Sequence, residues 1–70
     1  MTLQVQIADV PDRDTLVAEI WDDNDMLAEV RPGTNGRYIV ELYPNPKQSR
    51  WMFDLHDLRQ AFSEAEDRLG

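Results

Sequence analysis

Oxygen donors crowd the run Asp22-Asp23-Asn24-Asp25. Carboxylates this close could begin a cage for a hard cation such as Ca²⁺, which takes about six to eight oxygens. The spacing departs from an EF-hand loop. Asp22 and Asn24 fit its first two positions, but Met26 stands where the third oxygen ligand is required. Asp and Asn in a short connection also bond their own backbone, so a hairpin turn explains the run and no metal is assigned. The single histidine, His56, lies close to Asp54 and Asp57 at the start of a helical pattern, which reads as surface hydrogen bonding. A metal site or proton shuttle would draw on further ligands. A nucleophilic triad would need Ser49 or Ser63, and neither lies in a G-x-S-x-G elbow. Carboxylates for acid–base work are plentiful but carry no spacing information. Gly33, Gly36 and Gly70 are the only glycines, so neither G-x-G-x-x-G nor the Walker pattern can be written. A chain of 70 residues is also expected to lack the concave volume of a substrate pocket, on the order of 300 Å³ or more. These residues predict a protein that is not an enzyme and carries no cofactor.

Carboxylates recur in a second setting. The runs 16–21 (LVAEIW), 26–30 (MLAEV) and 38–43 (YIVELY) each set a glutamate between apolar residues. With a side-chain period of two, one face of a sheet built from them carries Val17, Glu19, Trp21, Leu27, Glu29, Arg31, Arg37, Ile39, Glu41 and Tyr43. The other carries Leu16, Ala18, Ile20, Met26, Ala28, Val30, Tyr38, Val40 and Leu42. The second face is a core, and small Ala18 and Ala28 would let a helix approach closely. The first mixes carboxylates with large apolar groups, as a contact surface does. Val17, Glu19, Trp21, Leu27, Glu29, Ile39, Glu41 and Tyr43 are therefore the candidate protein-interaction site. Against this stands a blander account, in which such residues are individually half-buried on a twisted sheet and shielded by the stems of Arg31 and Arg37.

The element that must cover the core face is a C-terminal helix. Leu55, Leu58, Phe62, Ala65 and Leu69 recur at helical spacing, with Ala61 widening the stripe. Asp54 is a natural N-cap, Asp57 suits the positive end of the dipole, and Arg68 the negative end. Strands are expected at about 3–7, 16–21, 26–31, 37–43 and 50–53, joined by turn-forming residues. Among these turns, Asn35-Gly36 tolerates positive φ, and Pro44 and Pro46 end the strand at Tyr43. Short connections favour a meander. The fold class is α+β: a small antiparallel β-meander of three to five strands with one C-terminal amphipathic helix on one face, forming a single domain over 1–70. Two points stay open. Pro11 and the following DRDTLVAEIWDD could start a helix over about 12–22, although the parallel with the other two glutamate runs favours a strand. An odd or even loop before 50–53 decides whether Trp51 and Phe53 or Met52 face the core. Area favours the two aromatics.

Composition sets the remaining bounds. The chain has no cysteine, hence no disulfide framework and no thiolate metal site. Fourteen Asp and Glu against 7 Lys and Arg give a net charge of −7, and the cations are scattered, which argues against binding nucleic acid. No run approaches the roughly 18 apolar residues of a membrane span, and the N-terminus lacks a signal-peptide pattern, so a cytoplasmic location and no membrane partner are expected. Two functions remain. One is a binding module that presents the uncovered sheet face to a protein partner or to a second copy of itself. The other is an acidic decoy or inhibitor, its carboxylates occupying a basic nucleic-acid-binding surface on another protein.

Overall fold

A computed structural model describes residues 3–9 and 15–70 of the chain. Four strands, β1 (Gln4–Asp9), β2 (Leu16–Asp22), β3 (Asp25–Pro32) and β4 (Tyr38–Leu42), form one antiparallel sheet in the order β1-β2-β3-β4, followed by α1 (Leu55–Leu69). This is the expected α+β meander with one C-terminal helix. The run from Leu16 is a strand, not the alternative helix over about 12–22; the part of that helix before residue 15, with Pro11 ahead of it, lies outside the described residues. Among the described residues no helix is long and apolar enough to cross a membrane.

Local chemistry sets the turns. Asp22 pairs with Asp25, leaving Asp23 and Asn24 as the hairpin tip, and Asp23 takes the left-handed φ of 57° that a short polar side chain tolerates. Between β3 and β4, Arg37 N–H donates to Thr34 C=O at 3.1 Å across Asn35 (φ 59°) and Gly36 (φ 73°). Two successive positive φ values are the signature of a type I′ turn, the hairpin turn that Asn-Gly favours.

The helix begins at Asp54, whose carboxylate accepts from Asp57 N–H at 3.2 Å, and ends at Gly70. Its buried residues are Ala61 and Ala65, which meet Ala18 and Ala28 of the sheet in one core with Leu3, Ile20, Leu27 and Val30. Alanine on both sides lets the helix lie low, so Ile20 and Ala65 lose all exposure. Arg68 pins the helix end to the sheet, donating to Val5 C=O at 2.8 Å. Leu55, the first member of the predicted stripe, instead stays 65% exposed.

Two expectations are corrected. Residues 50–53 form no fifth strand. Trp51 Nε1 donates to Tyr43 C=O at 2.8 Å, and the Trp51 and Phe53 rings stack with centroids 5.6 Å apart against the core, leaving Met52 outside. The inward reading of the two aromatics is thus right without any ladder to fix it. The second correction concerns register. A β-bulge interrupts β3: Ile20 pairs with Ala28 and Trp21 with Met26, so Leu27 is the extra residue. The bulge turns Leu27 toward α1, where it is buried in the core, and brings Met26 opposite Trp21.

Candidate interaction surface

The eight candidate residues therefore do not form one face. Leu27 lies on the helix side. Val17, although on the reverse side by alternation with Ala18, has no exposure, and Glu29 is buried as well. The remaining reverse face is held together by polar contacts. Glu19, Glu29 and Glu41 stand directly opposite one another across β2, β3 and β4, a row of like charges that would be destabilising unless offset. Arg31 offsets it, contacting Glu29 Oε1 at 3.2 Å and Glu41 Oε1 at 2.9 Å, while Trp21 Nε1 donates to Glu19 Oε1 at 3.2 Å. Trp21 and Tyr43 are half-buried, and Ile39 packs its side chain over Gly33, where a Cβ would meet it at 3.1 Å. A linear double row of carboxylates on one side would favour the decoy reading. Here the row is single, with its central member buried and a guanidinium between two of its members.

That guanidinium provides a stability test. Replacing Arg31 by Met keeps the apolar stem but removes the charge between Glu29 and Glu41, and should cost about 1–3 kcal/mol. Arg37, which makes no ion pair among the described residues, should tolerate the same change within about 0.5 kcal/mol. Thermal melting of both variants at neutral pH checks the difference.

Exposed apolar surface lies elsewhere. Helix α1 packs on β2, β1 and to a lesser extent β3, and barely reaches β4. A helix is about 10 Å wide, whereas four strands spaced about 4.8 Å apart span roughly 15 Å between outer axes. One flank of the sheet is consequently left bare. Val40 and Leu42 of β4 are 46% and 66% exposed on the helix side. Between β4 and α1 opens an apolar groove of about 610 Å³, floored by Val30, Tyr38, Val40 and Leu42 and walled by Trp51, Phe53, Leu58 and Phe62, with Glu66 at its rim. The expected lack of concave volume is thus not met. No cluster of His, Asp or Glu among the described residues could hold a metal ion, including the acidic hairpin at 22–25.

The backbone of the same flank is also open. Gly33 N–H donates to Arg37 C=O at 2.7 Å and Tyr43 N–H to Leu27 C=O at 2.9 Å, both in the register that pairs Arg31 with Ile39 and Glu29 with Glu41. Hydrogen-bonded and non-hydrogen-bonded pairs alternate along an antiparallel ladder. Odd-numbered β4 residues accordingly bond to β3, and Tyr38, Val40 and Leu42 turn their N–H and C=O groups outward from the last strand of the sheet. Sequence reasoning missed this flank. The signal was present in the mismatch between one helix and four strands, and in a β4 sequence with neither lysine nor proline to blunt an edge.

No protein-family model, curated protein or solved structure matches the chain.

Proposed function

We propose that this chain is a small non-catalytic protein-interaction module whose contact surface is the β4 flank, comprising the open strand edge and the groove beside it. One observation carries the reading: unpaired main-chain groups and exposed Val40 and Leu42 occupy the same strand. An exposed edge offers directional hydrogen bonds and adjoining apolar side chains offer area, the combination by which a strand recruits another chain. The reverse face supports this less well, since its carboxylates are tied to Arg31 and Trp21 and it carries little exposed apolar surface beyond Ile39.

The test is comparative capture. Immobilised chain should retain a protein from an extract of its source cells, or further copies of itself. Leu42→Asp, which places a charge at the groove floor, should release it, whereas Glu19→Gln on the reverse face should keep it. Retention that Leu42→Asp leaves unchanged and Glu19→Gln abolishes would move the contact surface to the reverse face.

A further inference from the structure

We infer that the occupant of the β4 edge is a second copy of this chain, its β4 running antiparallel to the first about a two-fold axis through Val40. The inference rests on the interaction-module reading and names its partner.

The register follows from which groups are free. Within β4 only Tyr38, Val40 and Leu42 present outward N–H and C=O groups, so only they can form hydrogen-bonded pairs with a strand added at this edge. The pleat adds a second restriction. Helix-side residues must pair with helix-side residues, which excludes every register shifted by one position. Of the registers left, the one centred on Val40 satisfies all three positions. Val40 pairs with Val40 of the second copy, and Tyr38 pairs with Leu42 in both directions. A register centred on Ile39 or Glu41 would leave one end of β4 unpaired, and the latter would also set Glu41 directly opposite Glu41.

Side chains agree with that register. On the helix side it joins two exposed valines and brackets them with two Tyr–Leu pairs, the aromatic–aliphatic contacts that stabilise a sheet. On the reverse side Glu41 faces Ile39 of the second copy and lies diagonal to its Arg37, an arginine that makes no ion pair among the described residues. The available area also fits. The chain of 8.2 kDa exposes 5198 Å², where a compact monomer of that mass would expose about 4500 Å². Its radius of gyration is 12.1 Å, against roughly 11 Å for a compact domain of this length. Exposed Val40 and Leu42 carry part of that excess at the edge itself.

Each copy carries a charge of −7, so bulk repulsion opposes association and the pairing should tighten as salt rises. A basic foreign partner would show the opposite trend.

Sedimentation of the purified chain between about 5 and 500 µM, at low and high NaCl, is the experiment. A species of twice the 8.2 kDa monomer mass is expected, favoured by salt. Val40→Pro removes a donor that no bond within the chain uses, once per copy, and should weaken the dimer roughly a hundredfold while circular dichroism stays that of the folded chain. The chain is cysteine-free, which permits a placement test. A hydrogen-bonded pair holds its Cα atoms about 5.5 Å apart, within disulfide range. Val40→Cys should thus cross-link to dimer on mild oxidation, and Leu42→Cys, which faces position 38, should not. A dimer indifferent to Val40→Pro, or cross-linked equally well through position 42, would overturn the inference, as would a chain monomeric throughout. In the monomeric case, capture of another protein that Leu42→Asp abolishes would leave the interaction-module reading standing, and no capture at all would remove both.

Discussion

Replacing Ile20 by alanine should destabilise the chain by about 2–5 kcal/mol, more than any other single truncation in the sheet. Ile20 has no exposure and is the largest side chain in that condition. It sits in the strand most heavily covered by α1, opposite Ala28 and beside Ala18, so its loss leaves a void in the layer where sheet and helix approach most closely. Neighbouring alanines have no rotamers with which to collapse into that void, which favours the upper part of the range. A chain of this length has a total stability of roughly 4–10 kcal/mol. The variant should therefore melt on the order of 10–30 °C lower. Leu55→Ala removes as many carbon atoms from a residue 65% exposed, and should shift stability by less than about 0.5 kcal/mol. Equal losses in the two variants would mean that the core is not where the structure places it.

Ile39→Pro should cost about 3 kcal/mol, whereas Val40→Pro one residue along should cost little. The Ile39 N–H belongs to the β3–β4 ladder through its pairing with Arg31. Proline there leaves the Arg31 carbonyl without its donor and forces a ring against β3. It also dislodges the strand carrying Glu41, one of the two carboxylates that Arg31 contacts. At Val40 the donor points away from the protein, so the folded monomer loses nothing it uses. Urea denaturation separates the two outcomes, and a reversed order would show that the outward and inward groups of β4 are assigned the wrong way round.

Much of the architecture was legible in the residues because it depends on local periodicity. The helix limits came from an apolar repeat bounded by Asp54 and Gly70, and both hairpins came from turns whose residues tolerate positive φ. The errors have a common cause, which is that side-chain alternation is only as good as the register beneath it. A single bulge at Leu27 moved one of the eight candidate residues to the other side of the sheet. Bulges are not marked by residue type here, since Leu27 and Met26 are both apolar and either could have faced the core. Trp51 and Phe53 went inward for area rather than for pairing, so a strand pattern over 50–53 found the right direction through the wrong structure. The candidate surface was the least legible part. The glutamate rows marked the reverse face as unusual, and their unusual feature is internal, a like-charge row offset by Arg31. The exposed flank followed instead from the lateral position of α1, a tertiary property that no run of residues states.

The claim most in need of a direct test is that β4 is an open edge. Residue-resolved amide hydrogen exchange on the chain, diluted until sedimentation shows only monomer, measures it. Ile39 and Glu41 should be protected by the β3 ladder, and Tyr38, Val40 and Leu42 should exchange on the order of a hundredfold faster. Slow exchange at Val40 in the dilute chain, equal to that at Ile39, would mean that the edge is already sealed from within and would remove the docking surface.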